Sequence, residues 1–515
     1  MSNLGFQIVY HLLNESDTCV AERAFLPSRE DAEEFLRSKT PLFSYESLTR
    51  LKEFDIVAFS VSFEEDFFNI PAILTLAGIP VFSKERDENH PLVMAGGIGV
   101  SLNPEPMADM MDLFLIGEGE GALKEFIDVY GGIKGAGAPR YEALRRLDSI
   151  ESVYVPSFYE FTYEGAGIKG IRAAKGAKEK VIASKNLDLN GYPLPQSFIL
   201  TPDTGFKGTF LAEIERGCPR GCRFCVAGFL YLPPRWRDTA SIKEALRRGI
   251  EATGKAGLVG AAVSEHPSIK ELLDAGLEQR GTMTLSSLRL DALDEGLIGK
   301  LKEAGYKTVT LAPEAGSERM RSLVNKGIFM IGLPSETDED AGAIAILSRR
   351  IKGAMKGAAI KLSLNPFIPK PFTPFQWCAF EDTRVIEKRL ALIKKALLKE
   401  PGITVDALPA KDAFIQAFLS RGDRRAGGII AKGRRTALRS SGGFIKDSVR
   451  FERSRDDILP SDVIDHGVRK DYLWKERQAG LSGKLTPCCD VGRCFRCGVC
   501  PRRSPLGEAE GREAR

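Results

Sequence analysis

Histidine is scarce in this sequence, with only His11, His90, His266 and His466, and so is tryptophan, with three. No apolar run approaches the ~18 residues needed to cross a bilayer, and the first residues lack the basic segment that opens a secretory leader. Those absences argue against a membrane or exported protein, so the expected location is the cytoplasm with no membrane partner. Charge is nearly balanced, 73 Lys and Arg against 69 Asp and Glu, and the net of +4 points to no class of partner by itself. Isolated cysteine is almost missing too. Of ten cysteines, three lie within 218–225 and five within 488–500, leaving Cys19 and Cys378 alone. A disulfide framework would spread its cysteines, so this clustering predicts metal ligation in a reducing compartment. The 515 residues, 43% hydrophobic and 28% charged, fit a globular protein of about three domains at ~150 residues each.

What is present centres on residues 215–225, ERGCPRGCRFC, which set Cys218, Cys222 and Cys225 in a C-x3-C-x2-C array. Cysteine thiolate is the usual ligand of a [4Fe-4S] cluster, and three local thiolates leave one of its irons open to something other than a side chain. Structural zinc prefers four protein ligands, and no fourth Cys or His lies nearby in sequence. Gly217 and Gly221 permit the tight turns such a loop needs, and Arg216, Arg220 and Arg223 are expected beside the cluster's negative charge. A second array, CCDVGRCFRCGVC at 488–500, spaces Cys489, Cys494, Cys497 and Cys500 as C-x4-C-x2-C-x2-C. Four thiolates can close a site unaided. Zinc would make it a structural clasp, whereas the short spacings also resemble a ferredoxin ligand run that wraps a second [4Fe-4S] cluster.

The expected fold class is α/β, in three parts. Residues 1–135 alternate apolar strands and helical patterns, as a doubly wound (Rossmann-like) domain does, with glycine turns at Gly96 to Gly99 and Gly117 to Gly121. A connector over 136–200 contains a glycine-rich stretch, a short helix and a hairpin. From 201 to 400 a βα rhythm predicts a partial (β/α)6 TIM-type barrel with strands at 209–215, 257–263, 282–288, 308–312, 328–333 and 359–365. The cysteine loop follows the first strand, at the carboxyl end where barrel enzymes place their chemistry. NPFIPKPFTPFQW after the sixth strand is too rich in proline for a helix and is expected to close the barrel. Residues 401–515 form a small, basic, cysteine-rich region with a disordered tail. Its stretch 420–455 carries eleven Lys or Arg, a density that suits a solvated face or a phosphate-bearing partner such as RNA.

CPRGCRFC resembles the signature of the radical S-adenosylmethionine (SAM) enzymes, and AGG-x5-NPEP, IGEGE, LAPEAGSER, FMIGLPSETDED, NPFIPKPFTPFQW and SRGDRR extend the resemblance over the whole chain, to a subfamily without an assigned substrate. The resemblance implies that Cys218, Cys222 and Cys225 hold the cluster, that SAM chelates its open iron, and that one electron, from a reductant such as flavodoxin or ferredoxin, yields a 5′-deoxyadenosyl radical. By the same resemblance Phe224 packs near adenine, Gly257 and Gly260 lie near the SAM amino group, and Glu314 with Ser317 matches a Glu-x-Gly-Ser element, while the end of the third predicted strand sets Ser287 and Arg289 on the rim. Cys488 falls where relatives carry Asp. The first 135 residues resemble a cobalamin-binding domain, which implies a cobalamin-dependent methyltransferase. Two features depart from it: a first strand is missing before MSNLGFQIVYHLL, and no D-x-H-x-x-G stretch supplies a lower cobalt ligand. Without cobalamin the expected activity is radical C–H functionalisation. Two alternatives are a methylthiotransferase-like RNA-modifying enzyme, whose N-terminal cysteine-rich domain has no counterpart here, and a non-enzymatic RNA-associated iron-sulfur or zinc protein. RSLVNKG runs almost directly into FMIGLP, so the fourth barrel helix is expected to be short.

Overall fold

The computed structural model describes residues 2–286, 288–289, 292–306, 308, 315–325, 329–355, 357–439 and 443–500. Continuous apolar runs in the first domain become buried parallel strands, as expected when a sheet is covered on both faces. Ile56–Ser60 pairs with Leu92–Gly96, which pairs with Leu113–Leu115, and the short Val153–Tyr154 closes the edge antiparallel. Leu92 to Ala95 are all buried, covered by helices that include Asn69–Ala77 and Gly119–Gly135. The chain reaches this sheet through the helix Leu4–Asn14, capped by Asn3, whose side chain accepts from the Phe6 N–H.

The barrel rhythm is realised as two parallel half-sheets. Phe210–Glu213, Lys255–Val259 and Thr282–Leu285 lie side by side in chain order, and Met330–Ile331, Ile360–Pro366 and Ile403–Ala407 do the same. The strand expected at 308–312 lies, apart from Thr308, outside the described residues. The expected barrel ends at residue 400, but Ile403–Ala407 extends the second half-sheet, with Leu362 opposite Val405. Its short run ITVDA carries too little apolar pattern to register as a strand. The helices between follow their caps. Asp238 accepts from Ser241 N–H before Thr239–Thr253, Asp294 from Leu297 N–H before Glu295–Glu303, and Thr337 with Asp340 forms a capping box before Asp338–Ala354. The fourth helix, Glu318–Val324, has only seven residues and stops where Asn325 turns left-handed at φ 57°. Residues 326–328 lie outside the described set.

The Pro-rich segment closes this part of the molecule. Phe367, Phe375 and Trp377 are buried, and Phe367 and Phe375 pack with Met320, Leu323 and Met330. Beyond it, the helix Ala410–Arg421 is buried on nearly every side. That differs from the expected basic surface. Arg421 donates to the carbonyls of Gln376, Cys378, Ser448 and Phe451, and Arg424 pairs with Glu105 at 2.8 Å while its guanidinium lies 4.3 Å over Phe161. Part of the basic run is therefore internal scaffolding. The motifs NPEP and SRGDRR meet here: Asn103 Nδ2 donates to the carbonyls of Ser420 and Gly422, at 3.1 and 2.7 Å.

Candidate active site

The first barrel strand runs out at Glu213, and Glu215–Arg216 then pairs antiparallel with Arg235–Trp236, so the cysteine loop is a lobe closed at its base by its own chain. Gly217 sits at φ 87°, where a Cβ would come within 2.5 Å of the Tyr231 carbonyl oxygen, and Gly221 turns left-handed at φ 63°. Only glycine allows the first of these. The loop keeps Cys225 close enough to Cys218 for its thiolate to raise the Cys218 pKa. Burial is the larger cause, and pushes Cys218 up to about 12 and Cys225 upward. Opposing this, backbone N–H groups point at sulfur: Arg220 at Cys218, and Ala227 with Gly228 at Cys225. Donors aimed at thiolate sulfur in a buried loop suit an iron-sulfur cluster, whose negative charge they would share. Among the described residues no three His, Cys, Asp or Glu side chains stand together as a ready-made metal site. The loop backbone supplies turns and donors, and Cys218, Cys222 and Cys225 are the residues of this loop that would hold a cluster.

The three arginines of the loop were expected beside the cluster's charge, and Arg223 lies near enough to Cys222 to feel it. Each finds a carboxylate elsewhere, because a guanidinium this buried needs a fixed partner. Arg216 pairs with Glu118 at 2.9 Å, Glu120 at 2.7 Å and Glu213 at 2.8 Å. Glu118 also takes Arg235 at 2.7 Å. The IGEGE glutamates of the first domain thus grip the base of the cysteine loop. Arg223, fully buried, donates to the carbonyls of Ser322, Leu323 and Lys484 and to Thr486 Oγ1, and pairs with Glu476 at 3.3 Å.

Arg220 turns to the barrel rim, where it meets Glu265 at 2.5 Å, and Arg289 meets the same carboxylate oxygen at 3.0 Å. The Arg289 N–H donates to Ser264 Oγ, and Ser286 Oγ bonds the Gly260 backbone. The rim residues Gly260 and Arg289 are thus brought to the cysteine loop. Gly257 lies within a strand, where a Cβ would come within 2.8 Å of both Thr284 and Leu211, and a Cβ on Gly260 would collide with Glu215. Phe224 packs against the cluster containing Met320 and Phe375. Ser317 is the N-cap of Glu318–Val324 and also donates to Asp340. Ser287 and Glu314 lie outside the described residues. His266 acts as a local cap, its Nδ1 accepting from Ser268 N–H at 3.1 Å. Sequence reasoning missed Glu215, a buried carboxyl that accepts from Ala262 N–H and that burial pushes up to about 7. It missed Asn325 too, although an Asn ending a helix pattern is a known left-handed cap.

The sequence of the first domain resembles a cobalamin-binding domain, and in such sheets a ligand lies beyond the carboxyl ends of the strands. Those ends are filled here by the chain itself. A Cβ on Gly97 would lie 2.5 Å from the Val61 carbonyl oxygen, and Gly117 is bridged in parallel to Ser184 so closely that a Cβ there would strike its backbone. Ser184 accepts from Glu118 N–H, Ser101 Oγ accepts from Gly117 N–H, and His466 Nε2 donates to the Ser101 carbonyl at 2.8 Å. The glycines that would admit a corrin are taken up by the chain itself, Gly97 by Val61, Gly117 by Ser184 and Gly121 by Asn186 and Tyr192, so the residues present do not fit that group.

The C-terminal array folds against the same loop. Residues 488–500 form no helix or strand, and Pro501 with the expected tail lies outside the described residues. Cys497 is buried, and Cys489, pushed up to about 12 by burial, also feels Cys494, Cys497 and Cys500. No described helix is long and apolar enough to cross a membrane.

Comparison with known proteins agrees with this geometry. Residues 5–156 match the family described as radical SAM proteins, N-terminal, and residues 213–330 match the radical SAM superfamily. Uncharacterized protein MJ0966 of Methanocaldococcus jannaschii is 32% identical over 411 residues, an alignment covering 74% of this chain and 81% of that protein. A three-cysteine loop at the carboxyl end of the first strand of a parallel barrel, preceded by a matched N-terminal domain, places the chain in one group: it belongs to the radical SAM superfamily.

Proposed function

We propose that this protein is a radical SAM enzyme that carries out C–H functionalisation without cobalamin. When bound, the [4Fe-4S] cluster and SAM supply a 5′-deoxyadenosyl radical by one-electron reductive cleavage, with a flavodoxin- or ferredoxin-class reductant. The observation that carries the reading is the cysteine loop, with backbone donors aimed at Cys218 and Cys225. Cys218, Cys222 and Cys225 would hold the cluster, and the Arg220–Glu265–Arg289 group beside them offers the charges that an amino acid moiety of SAM requires. Phe224 offers an apolar face. The closed rim of the first domain weighs against cobalamin-dependent methyl transfer, and the internal engagement of Arg421 and Arg424 weighs against the basic run as an RNA surface. The C-terminal thiolates add a second metal-binding capacity, zinc or a second [4Fe-4S] cluster. The test is anaerobic reconstitution with dithionite and SAM. Release of 5′-deoxyadenosine by the native chain and its loss in Cys222→Ala are expected, and undiminished release by the variant would overturn the reading.

A further inference from the structure

The two cysteine arrays, more than 260 residues apart in sequence, touch. The backbone N–H of Cys489 donates to the carbonyl of Pro219 at 2.7 Å, so a residue of the second array is bonded to the residue that follows Cys218. Asn325, buried to 1% exposure, completes the joint. Its Nδ2 donates to the carbonyls of Arg220 (3.2 Å) and Gly221 (3.3 Å) in the first loop and of Thr486 (3.2 Å) before the second, while its Oδ1 accepts from Thr486 N–H at 2.8 Å. Arg223 repeats the bridge from the other side, reaching Lys484 and Thr486. One amide side chain and one guanidinium therefore sew both loops into a single unit.

The second loop has little else to hold its shape. It has no helix or strand of its own, and it is fixed from outside by Arg469, whose N–H donates to the Cys497 carbonyl at 2.9 Å and whose Nη2 donates to the Arg496 carbonyl at 2.7 Å. Within it, Arg496 Nε donates to Cys494 Sγ at 3.2 Å. A segment this short without a core needs a covalent or metal staple to be rigid. Four cysteines within it supply the ligands.

We propose that Cys489, Cys494, Cys497 and Cys500 hold a four-thiolate metal centre that works as a latch on the radical SAM loop, and that Asn325 is the positioning residue through which the two sites are coupled. Metal at the tail fixes residues 486–489, and these fix the carbonyls of Pro219, Arg220 and Gly221. The cysteine loop then meets its own cluster in a preset shape. This rests on the reading of the tail as a metal site, and the two claims fail separately.

The test uses the full chain, anaerobically. A variant with Cys218, Cys222 and Cys225 changed to Ala reports on the tail alone: about one zinc or about four iron with matching sulfide supports the site and identifies the metal, and no bound metal overturns it. Coupling is then measured by chelator competition for the iron of the first loop, in Cys494→Ala/Cys497→Ala and separately in Asn325→Ala. Each is expected to lower that affinity by about 10 to 100-fold, the usual effect of removing a group that orients metal ligands. First-loop affinity unchanged in both, with the tail still binding metal in the triple variant, would overturn the latch and leave the tail site standing. If circular dichroism shows either variant unfolded, Thr486→Val decides, since it removes only the hydroxyl that meets Arg223 and Glu476. A smaller loss of first-loop affinity supports the latch, and no loss refutes it.

Discussion

Replacing Glu118 by Ala should detach the first domain from the cysteine loop. The carboxylate is 3% exposed and has three partners: Arg216 at 2.9 Å, Arg235 at 2.7 and 3.1 Å, and the Asn186 N–H at 3.1 Å. Arg216 would keep Glu120 and Glu213, but Arg235, with a side chain 7% exposed, would keep only backbone carbonyls. Breaking a buried pair from one side costs about 3 to 5 kcal/mol, because the remaining charge stays buried and unneutralised. At roughly 2 to 4 °C per kcal/mol for a unit of 150–250 residues, the transition reporting the first domain should fall by about 6 to 20 °C. A chain of several domains need not unfold in one step, so differential scanning calorimetry, which separates transitions, is the appropriate assay. Iron bound after reconstitution should fall in parallel, because the same carboxylate steadies Arg216 just before Gly217. Glu118→Ala/Arg235→Met should recover part of the loss, as removal of both partners leaves no stranded charge. A midpoint moved by less than about 1 °C in Glu118→Ala, or a double variant as unstable as the two single losses summed, would refute the argument.

Anaerobic protein mixed with hydroxocobalamin and desalted should retain no corrin absorbance, and a stoichiometric spectrum would contradict the closed rim. Gly117→Ala should destabilise the first domain by more than the usual ~1 kcal/mol of a glycine substitution, because φ 100° and the Ser184 backbone both oppose a Cβ. Burial lowers His466 from its ordinary value to about 4, so the folded state prefers it neutral. Its contribution is fully present above pH 6.5 and is lost as pH falls towards 4; His466→Asn should flatten the stability profile in that window by up to ~1.4 kcal/mol per pH unit. Arg289→Met should weaken SAM binding to reconstituted protein while leaving iron content unchanged, and equal loss of both would show that Arg289 merely holds the rim together.

The local features of this fold were legible, and the long-range ones were not. Helix starts fell where Asp238, Thr337 and Asp382 cap the next turn, because a cap is a property of four consecutive residues. The cysteine loop was visible for the same reason. The buried helix Ala410–Arg421 was hidden because burial on all sides erases the apolar stripe that marks a helix. The carboxylates that hold Arg216, Arg220 and Arg223 were hidden because spacing says that a loop is cationic but not which carboxylate folds against it. Glu118 is 98 residues from Arg216, and Glu476 is 253 from Arg223. IGEGE was noticed as a strand end, and nothing within five residues could tell a ligand loop from a grip on a neighbouring domain.

The meeting of NPEP with SRGDRR sets a schedule for the ribosome. Glu105 is fully buried and takes its charge partner from Arg424, 319 residues later, with Tyr154 Oη donating to the same carboxylate. At about 5 to 20 residues per second, the first domain waits roughly 16 to 64 s after Glu105 is made before Arg424 exists. Once Tyr154 has been made the sheet can be complete while one interior carboxyl still has no cation. Burial already raises the Glu105 pKa, so until the last third of the chain returns the carboxyl either stays protonated or leaves that edge open to water.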